Sequence, residues 1–358
     1  MYGSHSLAYS TLQPGLRYFF SENRSGFIAY WLLQRGCRNS RLVLGDPICS
    51  SEEAPALIKA FITETEAVAK SQCCFWQIGP QTGRILTESG FFVNPMGDDP
   101  IVDLAGFSLR GKDRKYLRGC WNQAAAAHVT YREVSDPGTC ATDLSRISSE
   151  WLRTRSLHPF ELRFLVRPLE CSNELGVRKF VAERDGTPLA FVVFDPLYEG
   201  GKPIGYYGNF MRSIDRELNR LRTAVVIHAA LRFRSEGHRI MTIGLSPSCQ
   251  VFPVRSFRSS LVTRVTTWAI YRWCNWLYSF NGLEGYKSHY KGSNNPVYFA
   301  TRNRCVLRDF FDLLEALGIE CPPKVPAGNR RLQGLGERLM FASLYAVSSW
   351  YLWNERKG

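Results

Sequence analysis

RKFVAERDGTPLAFVVFDPLYEGGKPIGYYGNFMRS, residues 178–213, reads as three consecutive strands. Apolar and aromatic runs at 178–184, 188–198 and 203–211 are separated by Asp185/Gly186 and Gly200/Gly201, the turn residues that let a chain reverse on itself. Downstream, helical spacing at 221–236 stops at Gly237, and a strand at 239–244 ends in Leu245, Ser246 and Pro247. A second helix at 263–280 closes at Asn281 and Gly282, and 297–301 is a late strand. Upstream lie a basic helix at 112–127, a strand at 129–134, and helical segments at 142–154 and near 168–175.

A shorter version of the same order occupies residues 17–104. Strands at 17–22 and 27–34 form a hairpin across Asn23 to Gly26, and a strand at 41–44 ends at Gly45, Asp46 and Pro47. A helix over 52–70, N-capped by Ser50 or Ser51, a strand at 73–78, a helix at 81–89 and a strand pair within 91–104 follow. Two copies of one pattern imply an internal duplication. The expected class is α/β (α+β) with two tandem domains, 1–110 and 111–305, and a helical extension over 306–358. Strand, two helices, three antiparallel strands, helix, strand, helix, strand is an order that resembles the acetyltransferase-like fold of the GNAT superfamily.

Composition agrees with a two-domain globular chain. Its 358 residues exceed one ordinary core, and its 45% apolar and 22% charged residues exclude wholesale disorder. The net charge of +13 is one-sided: residues 1–110 hold 9 basic and 10 acidic groups, residues 111–358 hold 36 and 22. Such an excess calls for a polyanionic partner, nucleic acid or anionic lipid, or else a merely solvated basic face. The 11 cysteines are odd in number and form no CxxC pair, which reads as reduced thiols and no zinc site. The amino terminus has no basic region followed by an apolar run, so no signal peptide is expected. The nearest approach to a spanning helix, the uncharged run 339–353, is too short to span a bilayer and reads as an interfacial or docked helix.

The segment after the third strand bears on chemistry. A coenzyme A pyrophosphate in a GNAT-like fold rests on a glycine-rich turn, because only glycine lets the backbone approach so closely. Here residues 211–224 read MRSIDRELNRLRTA, with no glycine and with Arg212, Arg216, Arg220 and Arg222. Guanidinium forks suit the phosphates of a larger ligand. An activated, polyanionic acyl donor that requires neither ATP nor metal is aminoacyl-tRNA, in line with the absence of a P-loop.

Several strings then resemble one family. LRGKDRKYLRGCWNQA (109–124), YYGNFMRS (206–213), RIMTIGLSP (239–247), LYSFNGLEGYKSHYKG (277–292) and, in the first half, VLGDPIC (43–49) are similar to the catalytic domain of the aminoacyl-phosphatidylglycerol synthases. These are phosphatidylglycerol lysyl- and alanyltransferases, also called multiple peptide resistance factors. The resemblance implies two tandem GNAT-like domains, aminoacyl-tRNA as co-substrate with no other cofactor and no metal, and a lipid (phosphatidylglycerol-like) or small-molecule hydroxyl or amine as acceptor. Larger members add a membrane flippase, so the chain is expected to be a free-standing, cytoplasmic module. Peripheral contact with the inner membrane face through the 339–353 helix is a further expectation. The family's strand reads Asp, Leu, Met, Arg where this chain has Asn209, Phe210, Met211 and Arg212. Arg212 is kept, while the acid has become an amide that hydrogen-bonds without charge.

Transfer requires two positioned substrates, a stabilised oxyanion and one managed proton. Lys287 is the expected donor to the oxyanion or to the terminal tRNA phosphate, and Arg212 with Asn209 the expected pair orienting the acceptor. Gly244 and Ser246, at the carboxyl end of a strand, are expected to line the aminoacyl pocket, with Tyr207 and Tyr286 as walls. His289 is the better placed of two candidate bases; His228 reads as a packed helix residue. Arg114, Lys115, Arg118, Arg216, Arg220, Arg222 and Lys291 are the expected tRNA contacts. Two other readings stay open: an acyl-CoA-dependent N-acyltransferase, and a non-catalytic lipid- or nucleic-acid-binding module.

Overall fold

The computed structural model describes residues 2–36, 38–154, 161–214, 220–247, 257–273, 280–304 and 306–319. After a two-residue strand β1 (Tyr2–Gly3), the first half runs β2 (Arg17–Phe20), β3 (Phe27–Arg35), β4 (Arg38–Leu44), α1 (Ala54–Ala67), β5 (Ser71–Ile78), α2 (Pro80–Glu88), β6 (Phe92–Asp98) and β7 (Ile101–Asp103). The second half begins α3 (Lys115–Ala126), β8 (Thr130–Val134), a helical turn α4 (Pro137–Thr139) and α5 (Ser145–Arg153). Next come β9 (Arg178–Arg184), β10 (Thr187–Glu199), β11 (Lys202–Ser213), α6 (Leu221–Ser235), β12 (Ile240–Thr242) and β13 (Ser246–Pro247). Helices α7 (Leu261–Trp273) and α8 (Phe280–Ser288), strand β14 (Pro296–Thr301) and α9 (Leu307–Ala316) close the described chain.

The three strands of the opening stretch form the antiparallel centre of one sheet, β9 and β11 flanking β10. Beyond β11 the sheet turns parallel at β12, since the chain first crosses over through α6. That helix is buried over most of its length, from Leu221 through Ala224, Ile227 and Ala230 to Phe233, with Arg232 and Arg234 exposed in its last turn. At Gly205 a Cβ would meet the Ile240 carbonyl oxygen at 1.9 Å, so only glycine lets β11 and β12 pair there. The other sheet has the order β13-β6-β14-β5-β4-β3-β2, with β4 and β5 parallel. Its hairpin turn is held by Asn23, whose side-chain oxygen accepts from the Ser25 amide at 3.0 Å.

The halves exchange strands. Strand β7 leaves the first sheet to pair with β12, and β14 enters between β5 and β6. β13 pairs with β6, and β1 pairs with β10. A cut at residues 110/111 therefore separates the chain order but not the hydrogen-bonded sheets, because each sheet is completed by the other half's strands. Both sheets are mixed, with helices against their faces.

Two local expectations are corrected. Residues 168–175 are not helical: Glu174, within the stretch, is held by Arg167 just before it, and a segment this short is marginal as a helix without packing of its own. Asn281 and Gly282 lie inside α8 rather than closing a helix. Among the described residues no helix is long and apolar enough to cross a membrane. The run 339–353, like most of the expected 306–358 extension, lies outside the described residues.

Candidate active site

Two chain segments pass from one sheet to the other side by side. One runs from β6 through Asp99 and Pro100 into β7, the other from β12 through Ile243, Gly244 and Leu245 into β13. They are antiparallel neighbours, since Thr242 pairs with Ile101 and Ser246 with Asp98. At this crossing Asp99 is buried, and its carboxylate accepts a short hydrogen bond from the Thr242 hydroxyl. The same hydroxyl oxygen accepts from the Gly244 amide at 3.0 Å. Gly244 has φ +77°, and a Cβ there would stand 2.6 Å from the Tyr207 ring, so the strand exit requires glycine on both counts.

Lys287, in the last turn of α8, reaches into this crossing. Its ammonium donates to the Leu245 carbonyl at 2.5 Å and its side chain is 7% exposed. Burial brings the amine down to about 8, against the pull of the Asp99 carboxylate. This buried amine lies at the junction of the two sheets, close to the end of the β11/β12 pairing at Tyr207 and Thr242. Tyr286, beside it, shares a hydrogen bond of 2.9 Å with the Tyr290 hydroxyl and lies 3.5 Å from the Met211 sulfur. Burial raises both phenols.

Strand β11 carries the second group. Val193 pairs with Phe210 and Phe194 with Gly208, which leaves Asn209 as the extra residue of a β-bulge. The bulge inverts the alternation: Phe210 joins the face of Phe191 and Val193, while Met211 turns to the α6 side. Asn209 donates to Asp195 at 2.8 Å, and its own carbonyl oxygen is buried without a partner among the described residues. Asp195, fully buried, is forked by Arg167, whose remaining nitrogen holds Glu174 at 2.5 Å.

Arg212 is buried and engaged. Its fork meets Glu161 at 2.5 and 2.6 Å, it donates a short bond to Ser148, and it lies 4.8 Å over Trp151 of α5. Burial alone raises Glu161, and the Arg212 fork more than reverses it. A carboxylate of the chain itself thus fills the place expected for an acceptor phosphate. Neither Arg212 nor Asn209 touches Lys287 within the described contacts.

Arg114, Arg220 and Lys291 lie around Tyr116, His289 and Tyr290. Arg114 donates to the Tyr290 carbonyl at 2.7 Å, and Arg118 to the Leu109 and Gly111 carbonyls, so both are spent partly on local structure. Arg220 lies 4.9 Å over Tyr116, on which the His289 ring also stacks at 3.7 Å. Lys115, Arg220 and Lys291 are exposed, and Arg222 is half-buried. Arg216 lies outside the described residues. Burial, then Lys291 and Arg220, lower His289. His228 stacks on Tyr131 at 4.7 Å and is a packed residue, as its place on the helix implied. Ser246 is buried in β13.

Reasoning from sequence missed Asp99, Thr242, Glu161 and Asp195. Asp195 was detectable, since an acid inside the apolar run FVVFDPLY needs a buried partner. The others depend on pairings that no local pattern encodes.

Residues 1–301 match the family model described as phosphatidylglycerol lysyltransferase, C-terminal. The phosphatidylglycerol lysyltransferase of Bacillus subtilis is 25% identical over 320 residues, covering 88% of this chain and 36% of the relative. The chain thus spans about a third of the length of the curated relatives it matches. The fold is also that of L-PGS from Bacillus licheniformis, at TM-score 0.73 and 21% identity, covering 89% of this chain and 94% of the other. The C-terminal domain of a putative lysylphosphatidylglycerol synthetase from Agrobacterium fabrum gives TM-score 0.70 at 21% identity, covering 88% and 91%.

Proposed function

The chain belongs to the phosphatidylglycerol lysyltransferase C-terminal family, and on that premise we propose that it is an aminoacyltransferase, carrying an amino acid from aminoacyl-tRNA to a phosphatidylglycerol-like lipid hydroxyl. The observation that carries this reading is the buried amine of Lys287 at the sheet crossing. Attack of a hydroxyl on the aminoacyl ester builds negative charge on the carbonyl oxygen, and a desolvated ammonium stabilises that charge far better than an exposed one. The proton leaves the attacking hydroxyl, the new ester forms, and the tRNA ribose hydroxyl departs with a proton. The donor's own α-amine serves as the proton acceptor in this scheme. Asn209, with an unsatisfied buried oxygen on the bulge, suits a donor group such as that amine. Arg212, tied to Glu161, supports the strand end instead of binding phosphate.

The test is incubation with a mixture of charged, labelled tRNAs and phosphatidylglycerol vesicles. RNase-sensitive appearance of label in lipid is the expected result; transfer that survives RNase treatment overturns the donor, and thermal stabilisation by acetyl-CoA points to coenzyme A instead. The rim of Lys115, Arg220 and Lys291 faces the donor in this reading. Each phosphate neutralised releases counterions, so with about four contacts the affinity for tRNA falls roughly 100-fold between about 50 and about 200 mM salt. Filter binding across that range is the measurement, and a flat dependence removes the rim from the tRNA path.

A further inference from the structure

Lys287 belongs to the second half of the chain, yet the anion at its crossing is supplied by the first. Asp99 sits in the two-residue link between β6 and β7, opposite the three-residue link, Ile243 to Leu245, whose last carbonyl holds the Lys287 ammonium. Its carboxylate is 3% exposed and fixed by Thr242, whose hydroxyl is fixed in turn by the Gly244 amide. The Asp99 amide donates to the Asn295 carbonyl at 2.8 Å, and Ile101 bridges Ser293, so the connection between α8 and β14 pins the link from its other side. The carboxylate and the amine are thus buried at the same crossing, each held by a group of the Thr242–Leu245 stretch.

We propose that Asp99 is the positioning residue for Lys287: exchange of strands between the halves brings a first-half carboxylate into the crossing that the second-half amine enters. The inference rests on the transfer reaction proposed above, with Lys287 at its centre. The surrounding groups leave Asp99 as the anion that matters. From the amino-terminal segment comes His5, buried, lowered by that burial, with Asp46 and Asp99 as its acidic neighbours. Asp46 is itself turned to the Gly79 amide at 2.9 Å. On the α8 side are the phenols of Tyr286 and Tyr290, with Arg222 of α6 near Tyr286. Of these, Asp99 is the group that raises the Lys287 amine against desolvation.

The experiment is competitive acetylation of the whole chain with acetic anhydride across pH, with Lys287 followed by peptide mass spectrometry. Asp99→Asn keeps an oxygen for Thr242 but loses the charge, and the half-labelling pH of Lys287 falls by about one unit. Asp99→Glu restores it, and Asp98→Asn, one residue earlier on β6, leaves it unchanged. In the transfer assay Asp99→Asn lowers kcat about tenfold with KM for charged tRNA unchanged, the pattern of a misplaced group rather than lost binding. An Asp99→Asn protein whose Lys287 labels as in the parent overturns the proposal. If that variant does not fold, Thr242→Val decides instead: a downward shift supports the proposal and no shift overturns it. A parent that transfers from no charged tRNA defeats the functional reading alone, because the labelling still reports on Asp99 and Lys287.

Discussion

Replacing Lys287 by methionine is expected to lower kcat by a factor of about 1000, the scale for losing a principal oxyanion donor, while raising the melting temperature near neutral pH. Both effects have one origin. The folded amine titrates near 8 against an ordinary value of 10.5, so folding at neutral pH forces an ammonium out of water. Such a displacement corresponds to roughly 3 kcal/mol, less about 1 kcal/mol for the lost bond to Leu245, and methionine fills the space without that penalty. The pH dependence has a definite sign. Below about 8 both folded and unfolded states hold the proton and the penalty is complete; it fades as pH rises from 8 and is gone above 10.5. The gain of Lys287→Met over the parent therefore shrinks across that window, as thermal melts in a pH series would show. In the parent, kcat declines as pH passes about 8, where the ammonium loses its proton. A Lys287→Met protein that turns over normally removes the residue from the site; one that melts lower near pH 7 refutes the buried-charge account.

What the sequence made legible and what it did not divide along physical lines. Period-2 runs broken by Asp185/Gly186 and Gly200/Gly201 identified β9 to β11 within a residue or two, because alternation and turn chemistry are local. The helix at 221–236, stopped by Gly237, was equally plain. Partner choice is not local. Nothing in IVD at 101–103 or PVYFAT at 296–301 says that each will leave its own half, since any strand of suitable pattern can complete either sheet. Lys287 was visible through a resemblance of motif, whereas Asp99 was hidden because its meaning depends on the exchange. Asn209 was noticed as a departure from the family's acid, but its place as the extra residue of a bulge follows only from the register of β10 against β11.

That register makes Asp195 the most fragile point of the second sheet, and Asp195→Ala is expected to cost about 3 to 5 kcal/mol. The carboxylate is completely buried and accepts three contacts from Arg167 and one from Asn209. Removing it strands a guanidinium that is 4% exposed, with Glu174 as its one remaining acid partner among the described residues. For a cooperative unit of this size the loss corresponds to a melting temperature lower by roughly 10 °C. The bulge loses its anchor too, because Asn209 donates to the same carboxylate. The double variant Arg167→Met, Asp195→Ala separates the two consequences. With both charges gone, Glu174 retains Lys179 at 3.1 Å and most of the stability returns. Activity does not return with it, since Asn209 still has no partner to aim it. If stability and kcat recover together, the buried pair serves folding alone; if the double variant is stable and slow, the Arg167–Asp195 pair is what holds the bulge in register with the site.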